Sequence, residues 1–206
     1  MASARYLWRE LTSKQREELL AWRVARLRPW HSPPHLSEAG RFCFHISAAC
    51  YEHAEHIGFS KERMDSFSDA LLAQLAEVGG QTLAWCVLPN HYHALIRTED
   101  LTQLLVGLGK VHGRFSFIWN AEENRRGRKV FFRASDRMIR SECHFWATMN
   151  YVHHNAVHHG YVKLWTEWPW SSAHAYLESV GRDEAERIWK AYPLKKFGAK
   201  WDPPGV

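Results

Sequence analysis

Two histidines, a tyrosine and an asparagine are the residues of this chain whose types and spacing could do chemistry together. His91 and His93 flank Tyr92 in the run Pro89-Asn90-His91-Tyr92-His93. On a strand, side chains alternate between faces, so residues two apart share one. Two imidazoles projecting from one face can bind a single metal ion. The ordinary reading is two half-exposed histidines on a sheet, since a chain with 14 histidines contains chance pairs. His153-His154 and His158-His159 are adjacent pairs, so each diverges on a helix.

The tyrosine and asparagine fall in a segment with helical spacing. At about 100° per residue, Phe145, Met149, Val152 and Ala156 form a narrow apolar stripe that should bury against a sheet. His144, Thr148, Tyr151, Asn155 and His158 form a second stripe about a quarter turn away, at the edge of that interface. Tyr151 and Asn155 are i and i+4, hence neighbours. A tyrosine hydroxyl can act as a nucleophile and form a covalent intermediate. Asn155 can offer an amide oxygen to a metal. The plainer alternative is a tyrosine that packs its ring and hydrogen-bonds its hydroxyl.

A third feature is charge. Between Lys110 and Arg140 stand nine cations (Lys110, Arg114, Arg125, Arg126, Arg128, Lys129, Arg133, Arg137 and Arg140) against only Glu122, Glu123 and Asp136. Such a segment suits phosphate neutralisation and salt-sensitive binding, with Phe131 and Phe132 as candidate stacking rings. It also suits an ordinary solvated basic surface.

The elements that must position these residues follow from pattern. Thr12 to Gln15 reads as a capping box opening a helix to about Arg28, ended by Pro29, Pro33 and Pro34, so residues 1–40 form an N-terminal helical extension. A strand is expected over 41–48 and a helix over 61–78, capped by Ser60 and stopped by Gly79-Gly80. Strands over 82–88 and 92–97 are joined by a Pro89-Asn90 turn as a hairpin. A helix follows from Asp100 or Thr102, with Leu101, Leu104, Leu105, Leu108, Val111 and Phe115 in register. A fourth strand is expected over 129–133. The helix 141–159 is capped by Ser141 and closed by Gly160, and shorter helices follow near 171–180 and 183–192. The order β-α-β-β-α-β is the ferredoxin-like (RRM-like) α+β pattern, a four-stranded antiparallel sheet with helices on one face. The main domain spans 41–180, with a C-terminal helix and tail over 181–206.

Composition bounds the rest. The 206 residues are 46% hydrophobic and 24% charged, with a net charge of +5. That describes a globular chain and permits a nucleic-acid partner. No run approaches the ~18 apolar residues of a membrane helix, and Met1 to Glu10 lacks the apolar core of a secretory signal. A cytoplasmic, nucleoid-associated protein without a membrane partner is expected. Cys43, Cys50, Cys86 and Cys143 contain no Cys-x-x-Cys pair and read as free thiols. Most of the eleven tryptophans should pack in the core or at its rim, with one or two able to stack on bases.

Together these segments resemble the single-tyrosine HUH transposases, and most closely their REP-associated tyrosine transposase branch. One motif is Ala84-Trp85-Cys86-Val87-Leu88-Pro89-Asn90-His91-Tyr92-His93-Ala94-Leu95-Ile96, similar to that family's strand, Pro-Asn turn and His-hydrophobic-His signature. The other is Tyr151-Val152-His153-His154-Asn155-Ala156-Val157, followed by Gly160, similar to the helix bearing the catalytic tyrosine. Trp168-Pro169-Trp170-Ser171-Ser172 also recurs in that branch. Relatives often carry Pro where this chain has Ala156, and some carry Gln at the position of Asn155.

The resemblance implies a transposase and single-strand DNA endonuclease that cuts and rejoins DNA through a 5′-phosphotyrosine on Tyr151. It implies Mg²⁺ or Mn²⁺ on His91 and His93, with Asn155 as a third ligand. Imidazole suits softer ions than Mg²⁺, so Mn²⁺ is expected to support activity better. The implied partner is single-stranded DNA folded as REP-like palindromic hairpins, bound by a monomer or a homodimer. Two other readings compete. A non-catalytic regulator would hold DNA or RNA hairpins without cutting. A metal hydrolase using water would give no covalent adduct.

Overall fold

The computed structural model describes residues 42–77 and 80–194, together with Thr12, Lys14 and Ala21. The chain divides into a unit of residues 1–35 and a unit of residues 36–206. The helix expected over 12–28 lies, apart from those three residues, outside the described part, as does the tail beyond 194.

Nine main elements follow in order. They are β1 (Phe42–Ala49), α1 (Lys61–Glu77), β2 (Gln81–Leu88), β3 (His91–Thr98), α2 (Leu101–Glu122), β4 (Ser135–Met138), α3 (Glu142–His158), α4 (Ala173–Val180) and α5 (Arg182–Ala191). The strands form one antiparallel sheet in the order β2-β3-β1-β4. This is the expected ferredoxin-like α+β sheet, with β3 inserted between the two strands that α1 connects.

Strand alternation divides the sheet into two faces. Phe44, Ile46 and Ala48 of β1 and Tyr92, Ala94 and Ile96 of β3 join one core with Phe67, Leu71, Leu104, Phe115 and Trp119 of α1 and α2. Arg63 ties these two helices together through Glu122 at 2.7 Å and Glu123 at 2.8 Å. On the opposite face Ala84, Cys86, Leu88 and Leu95 meet Met149, Val152 and Ala156 of α3. The apolar stripe read in the sequence is thus the docking face of α3, and α3 lies across the sheet from α1 and α2.

Caps follow chemistry. Asp100 accepts from the Gln103 amide at 2.8 Å and Ser141 from the His144 amide at 3.1 Å, satisfying orphan donors of the first turns. Gly160 closes α3 at φ 76°, a left-handed conformation that costs glycine little.

The fourth strand is displaced from its expected place. Val130 and Phe131 are buried, and this stretch bonds back to the end of β1, the Tyr51 amide to the Val130 carbonyl at 2.6 Å and the Phe132 amide to the Ala49 carbonyl at 2.9 Å. The ladder beside β1 is instead Ser135–Met138, paired with 44–47. Its sequence, Ser-Asp-Arg-Met, reads as polar because it is a short edge strand, where charge is favoured. The other edge is covered. Trp170 and Ser172 bond the backbone of Val87 and Trp85, and the Trp168 indole donates to the Val87 carbonyl at 2.8 Å.

Candidate active site

The site lies where α3 crosses β3. Register places His93 between Cys86 of β2 and Ser47 of β1, and His91 between Leu88 and Ala49. Both histidines therefore share the face that α3 covers, as their spacing implies, and they are 4% and 2% exposed. Their rings lie 5.1 Å apart, edge to face.

Each histidine is oriented by a neighbour. Asn90 Nδ2 donates to the His53 carbonyl at 3.2 Å, which fixes its amide and turns Oδ1 to His91 Nδ1 at 2.6 Å. His91 Nδ1 therefore carries the proton, and Nε2 presents a lone pair. His93 Nδ1 lies 3.0 Å from His45 Nε2, so Nε2 is again the nitrogen suited to a ligand. Such outer partners set the tautomer and ring orientation of metal-ligating histidines.

Asn155 completes the arrangement. It is fully buried, its Oδ1 lies 3.2 Å from His91 Nε2, and its Nδ2 is buried without a hydrogen-bond partner. Leaving such a group unbonded costs about 1–3 kcal/mol. Turning the amide over lets Nδ2 donate to Nε2 but leaves Oδ1 in the same dry position. As placed, two acceptors face each other, which a cation between them would relieve. Adjacent ligands of an octahedral ion at 2.0–2.1 Å stand about 3 Å apart, so the spacing fits. Among the described residues no group of three His, Cys, Asp or Glu side chains is placed to hold an ion. The donor set that fits is thus two imidazoles and one amide, leaving positions open as catalytic sites do.

Tyr151 stands against this pair. Its ring meets His93 at 5.1 Å and His45 at 6.0 Å, both edge to face. It is 2% exposed, deeper than the interface edge expected of its stripe. Thr148 and Asn155 are likewise buried, while His158 is exposed. Tyr151 and Asn155 sink because they face the sheet's histidines, Tyr151 against His93 and His45 and Asn155 against His91, while the Tyr161 amide caps the helix end on the Ala156 carbonyl at 2.9 Å.

Sequence reasoning missed three residues. His45 sits on the β1 face opposite Phe44 and Ile46. Alternation reveals that much, but only the β1–β3 register brings it to His93. Asn90 reads in the sequence as a turn residue, and only its bond to His91 Nδ1 reveals its second role. His159, set aside as half of a divergent pair, lies with its ring 4.8 Å from that of His91.

The cations part company. Arg133 and Arg137 line a cleft of about 260 Å³ with His45, Ser47, Ser135 and His53. Its floor is the part of the sheet formed by β1 and β4, beside the strands on which α3 rests. Burial, and after it the Arg137 and Arg140 charges, lowers the His144 pKa. Lys110 and Arg114 belong to α2, on the other face of the sheet. Arg128 is committed to structure, bonding Glu123 at 2.7 and 3.0 Å and Asn120 at 2.9 Å. The Arg128 bonds, followed by those of Arg63, hold the Glu123 carboxyl at about 2. Arg126 covers the Phe117 ring at 4.2 Å, and Lys129 lies over Tyr51 and Phe132. Arg125 and Arg140 are exposed. Phe131, a candidate stacking ring, is instead core, stacked on His112 at 4.5 Å.

Comparison with known proteins agrees with the resemblance read in the sequence. No family model matches the chain. A Haemophilus influenzae protein named as a candidate REP-associated tyrosine transposase is 27% identical over 104 residues, 46% of this chain and 59% of that protein. The chain thus spans less than two thirds of this curated relative. Among solved structures, a REP-associated tyrosine transposase bound to a REP hairpin matches with a TM-score of 0.54 and 16% identity, covering 79% of this chain and 89% of that one. At that identity the likeness is one of fold. A candidate transposase from Deinococcus radiodurans matches at 13% identity with a TM-score of 0.39, over 57% of this chain and 92% of that one. No helix among the described residues is long and apolar enough to cross a membrane.

Proposed function

We propose that this chain is a metal-dependent enzyme that cleaves and rejoins single-stranded DNA at hairpin-forming palindromic repeats, with Tyr151 as nucleophile. The observation that carries the reading is the placement of Tyr151 against His93, whose Nδ1, like that of His91, is already engaged. His91, His93 and Asn155 would hold Mg²⁺ or Mn²⁺. Such an ion polarises a phosphodiester as a Lewis acid.

The chain's own residues do the rest. Arg133 and Arg137 draw the strand's phosphates into the cleft beside His45. The Tyr151 oxygen attacks the phosphorus, forming the Tyr–O–P bond as the P–O3′ bond breaks. The tyrosine proton is balanced by the one that the departing 3′ oxygen gains as a hydroxyl. Attack by a 3′-hydroxyl on the phosphotyrosine reverses the step and joins strands, so the covalent link conserves the bond without ATP. His45 and Asn90 keep the two imidazoles in one tautomer throughout. With Tyr151 at 2% exposure, the side chains around it must shift as DNA enters, so the arrangement described is a resting one.

The test is a denaturing gel of the protein incubated with a flanked hairpin oligonucleotide and Mn²⁺ or Mg²⁺. A covalent protein–DNA band should form with the wild type and vanish in Tyr151→Phe and His91→Ala. Hairpin binding without cleavage on any flank would favour the non-catalytic regulator. Cleavage that persists in Tyr151→Phe would favour water as nucleophile.

A further inference from the structure

A second cavity lies on another side of α3. Its volume is about 250 Å³, and its walls include Trp165, Trp189, Tyr176, His154, Arg182 and Glu186. His154 adjoins Asn155 in sequence but, on a helix, it points about a quarter turn away. His154 is three residues from Tyr151, about 60° around the helix and one turn along it, so the cavity and the Tyr151 site share α3 and lie on neighbouring sides of it.

Its walls are ring faces. His154 stacks on Trp165 at 5.1 Å and on Trp189 at 3.7 Å, the ring planes within 15° and 20° of parallel. Tyr176 meets Trp165 edge to face at 6.3 Å. Rings held against one another keep a fixed surface on which a further flat ring can stack at little entropic cost.

Its polar groups are few and mixed. The Tyr176 hydroxyl is buried and has no hydrogen-bond partner, an unmet demand that a ligand would answer. His154 Nδ1 lies 3.0 Å from the Asn150 carbonyl, so it carries the proton and Nε2 is an acceptor. Arg182 adds donors and Glu186 adds acceptors. An aliphatic ligand would leave these unanswered, and an inorganic anion would waste the ring faces. A planar heterocycle bearing both donors and acceptors on its edge answers them all.

We propose that this cavity takes up one unpaired nucleobase of the DNA strand, flanking the hairpin and a few nucleotides from the bond that Tyr151 attacks. The proposal rests on the DNA-cleaving reading. Stacking on the Trp165–His154–Trp189 layer supplies affinity with little sequence preference. Tyr176, Arg182 and Glu186 then read the base's edge, so the cavity would help to choose where the strand is cut.

The test is a scan in which each flanking nucleotide of a hairpin oligonucleotide is replaced in turn by an abasic one. Binding is read by fluorescence anisotropy and cleavage by the covalent band. At one flanking position the replacement should weaken wild-type binding by about five- to a hundredfold. Tyr176→Phe, which keeps the ring, and Arg182→Ala, at an exposed position, should each shrink that penalty. A 2-aminopurine at the same position should be quenched on binding. A wild type that forms the covalent band but shows a flat scan, or an equal penalty in all three chains, would overturn the nucleobase site and leave the cleavage reading standing. A wild type that neither binds nor forms the band would overturn the cleavage reading, and the site with it.

Discussion

Asn90 Oδ1 lies 2.6 Å from Nδ1 of His91, held there by the bond from Asn90 Nδ2 to the His53 carbonyl. A turn residue thereby decides which nitrogen of the next side chain carries its proton. Asn90→Ala removes that acceptor and frees the ring to flip or to adopt the other tautomer. Losing such an outer partner costs about ten- to a hundredfold in metal affinity. Titration calorimetry with Mn²⁺ should show that loss, with Asn90→Asp retaining most of the affinity. Equal affinity in wild type and Asn90→Ala would sink the assignment.

His45 does for His93 what Asn90 does for His91, through its 3.0 Å contact with Nδ1. His45→Phe keeps a ring in the stack with His93 but removes the nitrogen. It should lower Mn²⁺ affinity by about tenfold and broaden the electron paramagnetic resonance spectrum of bound Mn²⁺. His45→Gln, which keeps a polar partner, should partly restore both. A structural role alone would leave the spectrum of the bound ion unchanged.

The basic segment divides into cations that line the cleft and cations committed to structure. Arg133 and Arg137 line the cleft beside the site, so each Ala variant should flatten the slope of log affinity against log salt by about 0.7 on single-stranded flanks. Lys110→Ala, on the opposite face of the sheet, should leave the slope unchanged. Arg128→Ala should instead cost about 1–3 kcal/mol of stability, since it leaves Glu123 with Arg63 alone and takes the donor from Asn120 Oδ1. Filter binding across a salt series and urea melts separate the two effects.

What the sequence made legible was local, and what it hid depended on register. Period-two and helical patterns located three strands and the five helices described between Lys61 and Ala191 to within a residue or two, because each element buries one face. The same reasoning put His91 with His93 and Tyr151 with Asn155. It did not reach His45, whose partner lies 48 residues away across the β1–β3 ladder. It misplaced β4, since Val130 and Phe131 are apolar for the sake of the core while the edge strand proper is polar. It also could not tell Arg128 from Arg137, as ion pairing with Glu123 leaves no periodic trace. The depth of Tyr151 had no signal either, because it depends on His45 and His93 standing together across the β1–β3 ladder.

His112 gives the fold a pH dependence that can be read apart from the site. It is buried between Phe67 and Phe131, with Nε2 3.1 Å from the Tyr92 hydroxyl. Burial lowers its pKa from 6.5 to about 4 and raises that of Tyr92, so both stay neutral and the hydroxyl donates to the ring. The unfolded chain takes up a proton here near pH 6.5 and the folded chain only near 4. Stability from this group is therefore complete above about 6.5 and falls as pH drops toward 4, by about 1.4 kcal/mol per pH unit. Below 4 both states are protonated and the loss stops growing. Replacing the pair together, His112→Phe with Tyr92→Phe, removes the titrating ring without stranding the hydroxyl. Urea melts of the metal-free protein from pH 7 to 4 should show the wild type losing about 3 kcal/mol more than this double variant. Parallel curves for the two proteins would mean that the fold leaves the His112 pKa where the unfolded chain has it.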